Sequence, residues 1–185
     1  MLVLASASAR RRAYLEELGV AFEARPADVD ESRLAAEAPE AMARRLARAK
    51  ARAVWREGLW VLAADTIVAL GDEVLGKPVD RDDARRMLRL LSGREHRVLT
   101  GAVLLAPGGE AVLDEVARTA GAFRLVAEGE IADYVAGGEA DDKAGAYGIQ
   151  GAAGAFVARV EGSYSNVVGL PLELVEPALR RAGLL

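Results

Sequence analysis

Four short stretches of this chain bring together side chains that can do chemistry. The first is Ser6-Ala7-Ser8-Ala9-Arg10-Arg11-Arg12, where a short apolar strand runs into a helix. The unpaired N–H groups and positive dipole end of a helix start attract anions, and the serine hydroxyls add donors. Three arginines in a first turn oppose the dipole, each by roughly a few tenths of a kcal/mol. A bound phosphate reverses that sign and gives the guanidinium forks bidentate partners; without one, they are ordinary exposed arginines of an Arg-rich chain. The GxxxxGK[ST] spacing of a Walker loop is absent.

The second stretch is Ala63-Ala64-Asp65-Thr66, where an acid interrupts an apolar run. A carboxylate at such a place is costly unless it meets a cation, a base or a positive side chain. Asp28, Asp30 and Glu31 form another acidic cluster, in a loop. Carboxylates converging on one oxygen-rich site suit Mg²⁺, which keeps several waters and bridges to phosphates. Zinc is disfavoured, because there is no Cys and a single His, His96, which reads as structural.

Gly76-Lys77-Pro78 is the third: glycine admits close backbone approach and proline fixes the chain beyond, so Lys77 projects from a rigid turn. The fourth is the segment from Asp141 to Gly151, too polar and Gly-rich for a strand, with Lys143, Tyr147 and Gln150. Such a loop can place an amide against a base edge with Tyr147 as a stacking wall, or it is a connector with Tyr147 packed beneath it.

Composition adds a pointer. Of 24 basic residues 21 are Arg, and the three Lys are Lys50, Lys77 and Lys143; Gln150 and Asn166 are the single Gln and single Asn. A compact ammonium and a planar guanidinium are not interchangeable at a tight site, so these five residues are candidates for function. Lys50 lies among Arg44, Arg45, Arg48 and Arg52, where a solvated helix face is the default.

The elements that must position these groups can be read from pattern. Leu2 to Leu4 reads as a strand, Ala9 to Gly19 as a helix and Val20 to Glu23 as a second strand. Pro39 opens a helix over Glu40 to Arg56, with Met42, Leu46, Ala49 and Ala53 on its apolar face. Trp60 to Leu70 is a strand, turned back at Gly71-Asp72 into Glu73 to Leu75. Asp80 caps a helix carrying Ala84, Met87, Leu88 and Leu91 that stops at Ser92-Gly93. Next come strands over His96 to Ala106 and Ala111 to Val126, a short helix over Glu128 to Val135 and a Gly-rich stretch from Gly137 to Gly154. A strand over Ala155 to Val160 and a helix over Leu170 to Ala182 come last. The class is α/β with a mixed sheet, in one folded unit over residues 1–185.

With 185 residues, 52% of them apolar, the chain can bury a sizeable aliphatic core. A net charge of −4 argues against a nucleic-acid binder, and the absence of Cys excludes disulfides and thiolate sites. Charges interrupt every apolar run before membrane-spanning length and no leader pattern precedes the first strand, so a cytoplasmic protein without a membrane partner is expected.

Together the stretches resemble the Maf family of nucleoside triphosphate pyrophosphatases. The matching blocks are Leu4 to Arg11, Gly58 to Thr66, Gly76-Lys77-Pro78, Met87 to Gly93, Asp142 to Gly151 (DKAGAYGIQG) and Gly162 to Pro171. Ala9 departs from the family, which usually has Pro there. The resemblance implies an elongated mixed sheet flanked by helices, with two lobes about a cleft, similar to inosine triphosphate pyrophosphatases. It implies hydrolysis of a nucleoside triphosphate to the monophosphate and pyrophosphate with a divalent cation, Mg²⁺ or Mn²⁺, in a homodimer. Asp65 falls on the family's proton acceptor. Arg10, Thr66 and Gln150 fall on positions tied to base choice, in the form resembling the branch acting on dTTP and UTP, and on modified uridine triphosphates, rather than on 7-methyl-GTP. On this reading Ser8, Arg10, Arg11, Lys50 and Lys77 hold the triphosphate, and Asp65 with Glu31 binds the metal. The alternatives are a purine-directed pyrophosphatase on the same fold and a nucleotide-binding regulator of septum formation.

Overall fold

The computed structural model describes residues 1–185. The hydrophobic runs become β1 (Leu2–Leu4), β2 (Phe22–Ala24), β3 (Trp60–Leu70), β4 (Glu73–Leu75), β5 (Glu95–Leu105), β6 (Ala111–Phe123) and β7 (Val157–Glu161). They form one seven-stranded mixed sheet in the order β2-β1-β3-β5-β6-β7, with β4 paired to β3 off that path. β1 is parallel to both β2 and β3, and every other pairing is antiparallel.

The helices are α1 (Ala9–Glu17), α2 (Pro39–Val54), α3 (Arg81–Leu91), α4 (Glu128–Ala136), α5 (Tyr164–Val168) and α6 (Leu172–Arg181). Strand alternation decides which helix lies on which face. Val61 and Ala63 of β3 pack with Ala47 and Ala51 of α2, whereas Leu62 and Ala64 pack with Leu15 of α1 and Val175 of α6. Beyond Asp65 the sheet continues into a second core, where Val68 and Val98 meet α3, α4 and the Gly-rich segment. On the α2 face Asp65 lies between two clusters, that of Val61 and Ala63 and that of Ile67 and Ala69 with Leu99.

Two details differ from the pattern-based expectation. The buried stripe of α2 is Met42, Ala43, Leu46, Ala47 and Ala51, and Ala53 is exposed. Alanine is apolar all round this helix, so composition does not fix the stripe's angle. The consequence is that Lys50 comes after Leu46 and Ala47 at i+4 and i+3, turned toward the sheet and away from the solvated face. Between Glu161 and Pro171 the chain also makes α5, a single capped turn not anticipated from the sequence: Ser163 Oγ accepts from the Asn166 N–H at 3.1 Å. The Gly137 to Gly154 region holds a 3₁₀ turn, Ala144–Ala146, and a second, Ala152–Phe156, runs out of it and takes the first two residues of the strand expected over Ala155 to Val160.

Candidate active site

β1 ends at Leu4, paired with Leu62, and Asp65 lies three residues further along β3. The chain leaves β1 toward β2 on one side while β3 flanks it on the other, and a crevice opens beyond the carboxyl ends of parallel strands at such a point. A cavity of about 810 Å³ occupies this place. Ser8, Arg10, Arg11, Glu31, Lys50, Asp65, Thr66, Lys77 and Gln150 all line it. The candidates come from six separate segments, and the fold brings every one to a single cleft.

The start of α1 forms one wall. Ser8 caps it by accepting from the Arg11 N–H, so the helix begins at Ala9 without the stiffening proline. Ser6 is buried, and its Oγ accepts from the Ser8 N–H at 3.1 Å and from Arg11 Nη1 at 3.2 Å. Arg11 does not stand free in solvent. Its Nε donates to the Gly169 carbonyl at 2.7 Å and its Nη2 to Thr66 Oγ1 at 3.1 Å. Three of its five donors are thus used within the protein, leaving two for an anion. Burial draws the guanidinium below its usual range, and Asp65 opposes that shift. Arg10 Nε reaches the Val168 carbonyl at 3.3 Å, and Arg12 is exposed on the helix surface.

The second wall is acidic and already holds a cation. Asp65 is 6% exposed. Lys50 Nζ donates to its Oδ1 at 2.5 Å and lies 2.6 Å from Glu31 Oε1. Burial lifts the Asp65 carboxyl above the usual aspartate range, and the Lys50 ammonium, with Arg11 beyond it, offsets this only in part. Burial also acts to lift Glu31, but hydrogen bonding and attraction from Lys50, helped by Lys77, bring it below its ordinary range. Asp28 and Asp30 stay exposed, Asp30 accepting from the Ser32 N–H, so of that acidic loop only Glu31 reaches the cleft. Arg45 holds the loop to α2 through Glu37 and the Ser32 carbonyl, a clamp that the sequence did not advertise.

Thr66, the next residue of β3, points to the opposite face. Its hydroxyl meets Arg11 Nη2 and lies 3.0 Å from Thr100 Oγ1, which donates to the Asn166 carbonyl at 3.2 Å. Asn166 itself is fully buried and outside the cavity, its Nδ2 donating to the Val98 carbonyl and to Thr119 Oγ1. The single Asn is therefore a strut between α5 and the sheet rather than a cleft residue. Its neighbours Val168 and Gly169 do contribute, as carbonyl acceptors that no side-chain pattern could have flagged.

Lys77 is exposed at the cleft rim, and its turn is fixed because the Gly76 carbonyl accepts from the Gly145 N–H at 3.1 Å. Gly145 has φ +68° and packs against Val68, where a Cβ would be both strained and crowded. Tyr147 is buried with its phenol 2.7 Å from His96 Nε2 and its ring edge-on to Phe123, so it packs beneath the loop. Lys143 Nζ donates to the Glu139 carbonyl at 2.7 Å and to Asp142 at 2.8 Å, tying down its own segment. Gln150 remains exposed on the lip of the cavity.

Of the three carboxylates that line the cleft, Asp142 is paired with Lys143 and only Asp65 and Glu31 share a partner, and no three His, Cys, Asp or Glu side chains converge anywhere. Hard oxygen donors so few in number fit a cation that keeps water and shares phosphate oxygens. That the same carboxylates grip an ammonium from both sides shows the place to be shaped for positive charge.

Comparison with known proteins gives a consistent outcome. Residues 1–182 match the family described as Maf-like protein. A dTTP/UTP pyrophosphatase of Anaeromyxobacter sp. (strain Fw109-5) is 60% identical over 185 residues, which span 98% of this chain and 89% of that one. A dTTP/UTP pyrophosphatase of Myxococcus xanthus (strain DK1622) is 53% identical over 186 residues, covering 100% and 93%. Among solved structures, a nucleoside-triphosphatase / dITP/XTP pyrophosphatase of Mycobacterium abscessus matches at a TM-score of 0.43 and 21% identity, over 68% of this chain and 74% of that one.

Proposed function

The chain belongs to the Maf family, and on that premise we propose that it hydrolyses dTTP and UTP to the nucleoside monophosphate and pyrophosphate. The observation that carries this reading is the buried Asp65, set opposite the cationic start of α1 in one cleft. Phosphoryl transfer is mainly positioning and charge stabilisation, and the cleft offers both.

Ser8, the free donors of Arg11, and Arg10 with Lys77 hold the phosphates, and Lys50 joins them from α2. Asp65, raised by burial, accepts the proton of the attacking water. The water oxygen bonds to the α-phosphorus, the bond from that phosphorus to the α–β bridging oxygen breaks, and pyrophosphate leaves. Asp65 and Glu31 would hold a divalent cation, Mg²⁺ or Mn²⁺, which supplies charge neutralisation on the phosphate oxygens. Gln150 carries a donor and an acceptor on one amide, matching the O4 and N3–H edge of uracil and thymine.

A cytoplasmic homodimer belongs to the same reading; no helix is long and apolar enough to cross a membrane. Sedimentation at micromolar concentration checks the dimer. The activity is tested by pyrophosphate release from dTTP, UTP, CTP, ITP, XTP and 7-methyl-GTP, with and without Mg²⁺ or Mn²⁺. Metal-dependent release led by dTTP and UTP is expected. A purine lead moves the protein to the purine-directed class, and nucleotide binding without hydrolysis moves it to regulation.

A further inference from the structure

Lys50 occupies the place between Asp65 and Glu31 that the proposed pyrophosphatase reaction gives to a divalent cation. Its ammonium is within 2.6 Å of both Glu31 Oε1 and Asp65 Oδ1, and its side chain is 13% exposed. One cation thus serves both carboxylates. A four-carbon stem with three rotatable donors lets the charged head move while the helix keeps its Cα fixed. Charge sets the direction of that movement. Arg10, Arg11, Lys50, Lys77 and Lys143 against Glu31, Asp65 and Asp142 leave the cleft with a surplus of two positive charges. A divalent ion arriving alone meets that surplus and an ammonium already seated. A metal–triphosphate complex is negative overall, and its phosphates offer the ammonium new acceptors.

We propose that Lys50 is a resident, exchangeable cation: in the free protein it closes the Asp65–Glu31 pair to a divalent ion, and the incoming nucleotide draws it onto phosphate oxygens. Metal and nucleotide consequently bind as one unit. The proposal rests on the assignment of Asp65 and Glu31 as cation ligands and adds to it a competition between Lys50 and the metal.

The test is Mn²⁺ binding to the full chain, monitored by the electron paramagnetic resonance signal of the free ion. Without nucleotide, Lys50→Met and Lys50→Gln are both expected to bind Mn²⁺ roughly tenfold more tightly than the wild type, a common size for coupled sites. In the wild type, an α,β-imido analogue of UTP should raise Mn²⁺ affinity by a similar factor once the analogue's own Mn²⁺ binding, titrated without protein, is subtracted, and this rise should shrink in both variants. Adding Glu31→Gln to Lys50→Met should remove the gain. Equal or weaker Mn²⁺ binding by both variants overturns the proposal, as does a gain that survives Glu31→Gln. The wild-type arm needs no variant to fold, and equal Mn²⁺ affinity with and without the analogue also overturns the proposal. Pyrophosphate release from UTP by the same wild-type preparation separates the two levels. Release with unchanged Mn²⁺ affinities defeats the exchange alone, and no release defeats the activity reading.

Discussion

Asp65 and Thr66 are adjacent in sequence yet belong to opposite sides of the sheet, since strand side chains alternate. One meets Lys50 of α2, the other Arg11 of α1, and a one-residue slip of β3 would exchange them and dissolve the site. Asp65→Asn keeps the shape and one oxygen for Lys50 but removes the proposed proton acceptor. It should fold normally and lose turnover by roughly a hundredfold or more. Pyrophosphate release at the wild-type rate would take the base role away from Asp65. Gln150, the proposed base reader, raises a different question, because its exposed amide has no protein partner to fix which end would face a base. Gln150→Ala should bring kcat/KM for UTP down toward that for CTP, measured side by side. A preference that survives the substitution places base reading in the backbone of the Gly-rich segment.

At the scale of elements, the decisive contact is between α2 and β5. A Cβ at Gly101 would lie 2.4 Å from the Ala43 carbonyl oxygen, a backbone atom that cannot step aside. Gly101→Ala should therefore lift α2 from the sheet, costing roughly 1–3 kcal/mol in urea unfolding. Because α2 carries Lys50, turnover should fall with it; a stable variant with full activity would show that the helix relaxes freely. The same helix marks the limit of what sequence conveys. β3, α3 and the β3–β4 turn were legible because β-branched runs, an Asp cap and Gly71 state their geometry locally. The stripe of α2 was not, since Ala49 and Ala53 look as apolar as Ala47 and Ala51. The inward aim of Lys50 was hidden for that reason. Among the site residues, types and blocks could be read, but the partners could not. Arg11 finds the Gly169 carbonyl 158 positions away, a pairing set by how α5 lands on the sheet.

Across the whole molecule, the end of the sheet beneath the Gly-rich segment packs around a buried cluster of His96, Phe123 and Tyr147. Gly121, opposite His96 on β6, leaves the imidazole its space, since a Cβ there would sit 2.8 Å from Nε2. Burial pushes His96 down to about 4, with the Arg94 backbone and the Glu95 carboxylate acting weakly the other way. The unfolded chain therefore binds a proton that the folded one refuses between the ordinary value near 6.5 and about 4. Stability from this residue is complete above that window and is lost as pH falls through it, by on the order of 3 kcal/mol. The comparison that isolates it is wild type against His96→Gln, each unfolded in urea from pH 7.5 to pH 4. Other groups titrate alike in both proteins, so the wild type should lose the extra stability and the variant should not. Parallel profiles would mean that the folded protein accepts the imidazole's proton without loss of stability.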